Sequence, residues 1–179
     1  RPAQDSPELA RRYAVQAGTT LHAGHSTQPL FLQYLLVNGD YWARQSLGDM
    51  ILSGVFERFP NLHVGAVETE MAWAVHWLRM IDLHYTDTPP GNMGYRFKNE
   101  MLPSDFFRRN CFIDTQEDFQ GIKLREQIGV DNILWGNDYP HIESTFPKSM
   151  EFLSEMLKDC TEKEKEKISG GNAARIYRI

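Results

Sequence analysis

An α/β fold built on a parallel sheet is the class this 179-residue chain predicts, and three observations predict it. Four short β-branched or apolar runs alternate with helical stretches, the order expected of strand–helix–strand crossovers. Each run ends on a group able to bind a metal or move a proton: His22, Glu68, Asp114 and Asp138. The last run, Ile133-Leu134-Trp135, fits a strand buried on both faces; Gly136 then turns the chain and Pro140 ends strand pairing.

Composition fits one domain spanning residues 1–179, with 41% hydrophobic and 24% charged residues, enough to bury a core. A net charge of −5 gives no basic footprint, which excludes nucleic acid as a partner. No apolar run reaches the ~18 residues of a membrane span. Cys111 and Cys160 are isolated, forming neither a disulfide scaffold nor a zinc knuckle, and suit a reducing, cytoplasmic setting. The N-terminus carries no signal or transit pattern and reads as a chain entered midway through a fold.

Asp5-Ser6-Pro7-Glu8 starts a helix at once, with a capping residue, a proline in the first turn and an acid facing the positive helix end. Leu9, Tyr13 and Ala14 carry its apolar face to Gly18. The first strand, Thr19-Thr20-Leu21-His22, ends on a histidine, and the loop beyond it holds His25. Residues 28–40 show no clear period. Residues 41–58 read as a helix with Leu47, Ile51, Leu52, Val55 and Phe56 on one side. Pro60-Asn61 breaks it, and the second strand, Leu62 to Val67, ends at Glu68.

Trp73, Trp77, Met80, Ile81 and His84 then recur at helical spacing, a stripe that reads as core packing, with His76 and His84 as ordinary helix residues. Residues 86–103, with Pro89, Pro90, Gly91 and Gly94, form the longest irregular stretch, a lid or a contact surface. A short helix from Ser104 to Arg109 leads to the third strand, Cys111 to Ile113, which ends at Asp114. A helix over 117–128, closed by Gly129, precedes the fourth strand. Pro147 opens the next helix, where Met150, Leu153, Met156 and Leu157 keep a helical period. Thr161-Glu162-Lys163-Glu164 is a capping box, and the sign-alternating run that follows is a solvated face. Gly170-Gly171 ends that helix, and Asn172 is placed to cap the last turns, Ala173 to Tyr177.

All carboxyl ends of parallel strands share one edge, so His22, Glu68, Asp114 and Asp138 are expected to converge. An imidazole with carboxylates suits Zn²⁺ or Mn²⁺. Such an ion lowers the pKa of a bound water from ~15.7 towards ~7, and a neighbouring carboxylate takes the proton. Asp138 suits both the metal and the proton. His25 and His141, in exit loops, are placed to polarise a substrate oxygen or to orient Asp138. The alternatives are Asp138 as a turn former, His22 as a buried hydrogen-bonded histidine, and Glu68 and Asp114 as helix caps or structural acids. His63 falls on the opposite edge and is excluded. A nucleotide site lacks any glycine-rich phosphate loop.

Several of these stretches occur together in a known family. Leu21-His22-Ala23-Gly24-His25-Ser26, Phe59-Pro60-Asn61-Leu62 with Glu68 and Trp73, and Gly129-Val130-Asp131-Asn132-Ile133-Leu134-Trp135 are three of them. Asp138-Tyr139-Pro140-His141 with Ser144-Thr145, and Gly171-Asn172-Ala173-Ala174-Arg175-Ile176-Tyr177, complete the set. Together they resemble the amidohydrolase-related family, the amidohydrolase branch that includes aminocarboxymuconate semialdehyde decarboxylase. The resemblance implies a distorted TIM barrel holding a divalent metal, often zinc, and catalysing hydrolysis or non-oxidative decarboxylation. It places His22 as the metal histidine after the fifth strand and Asp138 as the metal- and proton-handling aspartate after the eighth. Glu68 stands where many members carry a histidine after the sixth strand, and a subgroup carries glutamate there.

The family's first-strand metal pair has no counterpart before His22, so the resemblance implies the second half of a (β/α)8 barrel, strands five to eight. A full barrel takes ~250 residues, and four strands alone leave two open edges. A partner half is therefore expected: further segments of the same chain, a separate chain, or a second copy in a homo-oligomer. The leading expectation is a metal-dependent hydrolase acting on a small carboxylated or cyclic substrate. There Asp138 is the base, and Glu68, Asp114 and His25 face the substrate. A non-oxidative decarboxylase is the alternative within the family. A catalytically inert packing module is the alternative outside it.

Overall fold

The computed structural model describes residues 39–179 apart from 90, 92–94 and 142. The predicted strand at Thr19–His22, the helix before it, and His22 and His25 themselves lie outside the described residues. Within the compact unit Asp40–Ile179, the chain runs α1 (Gly39–Leu52), α2 (Val55–Arg58), β1 (Val64–Ala66), α3 (Trp73–Asp87), α4 (Pro103–Asn110) and β2 (Cys111–Thr115). Two 3₁₀ turns flank α5 (Arg125–Ile128) and lead to β3 (Ile133–Trp135). Then come α6 (Ser149–Met156), α7 (Glu162–Glu166), a π turn over Lys167–Gly171, and α8 (Asn172–Tyr177).

The described strands form one parallel sheet in the order β1-β2-β3. Gly65 pairs with Phe112, Ile113 with both Ala66 and Ile133, and Thr115 with Trp135. Helices between the strands make parallel pairing possible, and the strands are as apolar as burial on two faces requires. Ile113 and Ile133 are fully buried with Phe56, Met71, Phe106 and Phe107 in the core, while Phe112 and Leu134 are buried on the other face. Gly65 matters here: a Cβ on it would lie 2.2 Å from the Phe112 ring.

Several elements differ from their sequence expectation, each for a local reason. The helix expected over 41–58 breaks at Gly54, which takes a φ of +72° and packs under the Tyr95 ring. On α3 the buried stripe is Ala74, Leu78, Ile81 and Tyr85, with Trp73 and Trp77 packed half-buried against the core and His76 and His84 exposed. The helix expected over 117–128 condenses to a 3₁₀ turn and α5. Asp118 takes the N–H groups of Gln120 and Gly121 into its own carboxylate and so competes with helical pairing there. Pro147 precedes rather than opens α6, and Met150 is exposed.

Described parts of the 86–103 stretch are fastened near the end of α3 that is remote from the β1 exit. The Arg96 guanidinium donates to the carbonyls of Tyr85 and Thr88 and lies 4.4 Å from the Tyr85 ring centroid. The Phe97 and Lys98 amides donate to Tyr85 Oη and Glu57 Oε1 at 2.9 and 2.7 Å. α3 runs back from the carboxyl edge of the sheet, so this attachment is at the opposite edge, which suits the contact-surface reading better than a lid.

That opposite edge carries a repeated device. Asn110, just before β2, donates through Nδ2 to Pro60 O and Leu62 O ahead of β1, at 2.9 and 2.8 Å. Asn132, just before β3, donates to Arg108 O and Cys111 O at the start of β2, at 2.8 and 2.6 Å. Asn172 donates to Val130 O and Ile133 O at the start of β3, at 2.7 and 2.8 Å. Three buried amides thus tie the entry of each strand to the segment beside it. The cap expected of Asn172 is not made: it is the first residue of α8, and its side chain is spent on β3.

Candidate metal and proton-transfer site

The carboxyl edge is built from three exit loops. After β1, Glu68 and Glu70 both take left-handed backbone angles, φ 59° and 53°, and after β3 Asp138 does the same at 57°. These conformations are uncommon for residues with a Cβ and persist where surrounding contacts over-determine them. The contacts are present. Asp114, at the end of β2, accepts the Glu68 N–H on Oδ1 at 2.9 Å. The His141 N–H donates to Asp138 O at 2.8 Å, closing a turn that brings the His141 ring back onto the aspartate.

Glu68, Asp138 and His141 come together. His141 Nδ1 lies 3.0 Å from Asp138 Oδ2 and 3.9 Å from Glu68 Oε1. One ligand atom from each of the three falls within 4.8 Å of the others. Two carboxylate oxygens and an imidazole nitrogen are a donor set that first-row divalent ions accept. The residues present therefore fit a divalent ion. Asp138 is the least exposed, at 18% of its side chain, against 62% for Glu68 and 69% for His141. The Asp138 carboxylate beside Glu68, with lesser help from burial, raises the Glu68 pKa, so the pair resists carrying two charges without a cation.

Asp114 sits beneath this cluster. Burial pushes its carboxyl up to about 6, against the lowering effect of the Glu68 N–H bond. Its Oδ2 lies 3.6 Å from where a Cβ on Gly136 would stand, so it bridges the loops after β1 and β3. Asp114 is thus partly buried and engaged with backbone. The third loop is tied to its neighbours by Gly136 N–H to Thr115 O at 3.2 Å and Trp135 Nε1 to Gln116 O at 3.2 Å.

Of the sequence-predicted residues, Glu68, Asp114, Asp138 and His141 share this rim. Glu70 and Asp118 were not singled out by the sequence, because an acid two or four residues past a strand end carries no motif. Glu70 accepts Thr115 Oγ1 at 2.7 Å and the amides of Gln116 and Glu117 at 3.3 and 3.1 Å. Asp118 accepts the amides of Met71 and Ala72 at 3.1 and 2.7 Å.

The sequence model of the family described as Amidohydrolase matches residues 20–179. The chain belongs to this family. Amidohydrolases of this family are enzymes. A 5-carboxyvanillate decarboxylase from Sphingomonas paucimobilis is 32% identical over 74% of this chain and 38% of its own, with a TM-score of 0.60. An amidohydrolase from Mycobacterium avium subsp. paratuberculosis is 26% identical over 74% of this chain and 32% of its own, with a TM-score of 0.63. A dihydroxybenzoic acid decarboxylase from Polaromonas, solved with bound manganese and 2-nitroresorcinol, is 18% identical over 75% and 39%, with a TM-score of 0.58, a likeness of fold. No curated protein matches the chain. The amidohydrolase membership implies TIM-barrel architecture, to which the three parallel strands conform. The chain spans between 32% and 39% of the length of these three structures. Among the described residues no helix is long and apolar enough to cross a membrane.

Proposed function

We propose that the chain supplies strands five to eight of a metal-dependent, non-oxidative decarboxylase acting on small aromatic carboxylates. The observation that carries the proposal is the convergence of Glu68, Asp138 and His141 on the carboxyl rim of the sheet. The likeness to a 5-carboxyvanillate decarboxylase supports decarboxylation over the hydrolysis that the sequence alone put first. The remaining half of the barrel would come from further segments, a separate chain or a second copy in a homo-oligomer, and cytoplasmic placement follows the cysteine argument.

Glu68, Asp138 and His141 would hold the ion, and the family resemblance proposes His22 as a further ligand. When bound, the ion supplies positive charge that attracts and orients the substrate's anionic oxygens. In decarboxylation the bond between ring carbon and carboxylate breaks, the electron pair stays on the ring carbon, and that carbon takes a proton. Asp138 holds that proton at Oδ1 or Oδ2, and His141 Nδ1, 3.0 Å away, fixes the carboxyl's orientation. Asp114 would line the substrate side, and His25 is proposed for the same role from its place in the sequence. Mn²⁺ is the ion to test first, since manganese is bound in the Polaromonas structure; Zn²⁺ is the second.

A hydrolase remains the second reading, favoured by the likeness to the Mycobacterium amidohydrolase. The test is CO₂ release from 5-carboxyvanillate and from dihydroxybenzoic acids by the full-length protein loaded with Mn²⁺. Release abolished by Asp138→Asn is expected. Activity confined to esters or lactones would shift the assignment to hydrolysis, and no activity on either would favour an inert module.

A further inference from the structure

The exit loops of β1 and β2 are joined by bonds that run in both directions. Asp114 and Asp118, from the second loop, accept the amides of Glu68, Met71 and Ala72 in the first. Glu70, from the first loop, accepts the hydroxyl of Thr115 and the amides of Gln116 and Glu117 in the second. The six bonds bracket the two residues of this loop held at left-handed φ, Glu68 and Glu70. Such a conformation is unfavourable for a residue with a Cβ and persists where other contacts hold it. Nothing in the local sequence, which has no glycine between Gly65 and Gly91, would choose that geometry unaided. The clasp also orders itself: Thr115 Oγ1 donates to Glu70 and accepts the Asp118 N–H at 3.3 Å, so one hydroxyl links both acids.

We infer that Glu70 is a positioning residue: by gripping the β2 exit loop, its carboxylate holds Glu68 in the left-handed conformation that directs the Glu68 side chain to Asp138 and His141. Glu70 touches neither of those groups; it acts through the backbone of its neighbour. Removal of its carboxylate frees the loop to relax, and Glu68 then leaves the three-residue cluster while the sheet beneath stays intact. The inference rests on the metal reading for its binding readout and on the backbone alone for its structural readout.

The test uses the full-length protein and Mn²⁺ as the probe, with Mn²⁺ affinity measured by electron paramagnetic resonance titration. Glu70→Ala is compared with Asn172→Ala, a destabilising change at the opposite edge. Glu70→Ala is expected to weaken Mn²⁺ binding ~10–100-fold, the loss typical when support for a metal ligand is removed, and Asn172→Ala is expected to leave it within twofold. Glu70→Gln, which keeps the volume but sets an amide donor against a backbone N–H, replaces Glu70→Ala if the latter does not fold. Affinity unchanged in a folded Glu70 variant would overturn the inference. If the wild type itself binds no Mn²⁺, the metal reading falls separately. A crystal structure of the Glu70 variant then decides: Glu68 relaxed to negative φ supports positioning, and Glu68 retained at positive φ refutes it.

Discussion

Asn172 Nδ2 lies 2.8 Å from Ile133 O and 2.7 Å from Val130 O, so a residue from the last helix completes the hydrogen bonding of the last described strand. The residue is 2% exposed, so both bonds are made away from solvent. Truncation removes both bonds; Val130 O keeps the Ile133 N–H, while Ile133 O loses its buried Asn172 donor, a loss worth ~1–3 kcal/mol. Asn172→Ala is expected to lower unfolding stability by about 2 kcal/mol in urea titrations. Asn172→Asp, equal in size but repelled by both carbonyls, is expected to be at least as damaging. A loss under 1 kcal/mol in both would show the bonds to be incidental.

Gly65 tests how tightly β1 and β2 are packed. An added methyl would stand 2.2 Å from Phe112, itself 7% exposed. Overpacking of this kind costs ~1–3 kcal/mol. Gly65→Ala is expected to destabilise by that amount and to be partly rescued by Phe112→Leu, which removes the ring. Absence of coupling in the double-mutant cycle would mean that the strain is relieved elsewhere.

The Arg125–Glu164 pair joins α5 to α7 at 2.8 Å, with both side chains largely buried. Arg125 first, and the Thr161 N–H next, hold Glu164 down to about 2. Its folded pKa is depressed, so its stabilisation is present above the unfolded carboxyl value of ~4.3 and is lost as pH falls towards about 2. Glu164→Gln is expected to cost ~2 kcal/mol at pH 7. The difference from wild type should shrink in denaturation curves taken at successively lower pH below 4. A gap constant with pH would remove the charge from the explanation.

Asp114 shows the opposite sign. Its folded pKa is raised to about 6 by burial, so its contribution is fully present below ~3.9 and is lost as pH rises through about 6. In metal-free protein, Asp114→Asn keeps an acceptor for the Glu68 N–H and removes the buried charge. It is therefore expected to raise the unfolding midpoint at pH 8 and to change it little at pH 4, by differential scanning calorimetry. Stabilisation of equal size at both values would contradict the burial argument.

Much of this was legible in the sequence because strand ends are punctuated by chemistry. Cys111–Ile113 and Ile133–Trp135 are apolar runs, and their closing acids mark the carboxyl edge directly. The Thr161–Glu164 capping box forms as its spacing implies, with Thr161 Oγ1 accepting the Glu164 N–H. Long-range polar contacts were not legible. Glu70 and Asp118 find partners 45 to 47 residues away, and Asn172 finds its partners 39 and 42 away; no local pattern encodes such pairs. The shortening of the helix after β2 followed from one of them, since Asp118 draws the local amides to itself.

The most direct test of the site is metal retention by wild type and Asp138→Asn after dialysis against Mn²⁺ and then buffer. Wild type is expected to keep about one ion per active site. Asp138→Asn, still folded by circular dichroism, is expected to lose the ion and to cut turnover by ~10²–10⁴-fold, the scale of a missing proton donor. Wild type that retains no ion, or a variant that keeps both ion and turnover, would contradict the assignment of this rim as a metal-assisted proton-transfer centre.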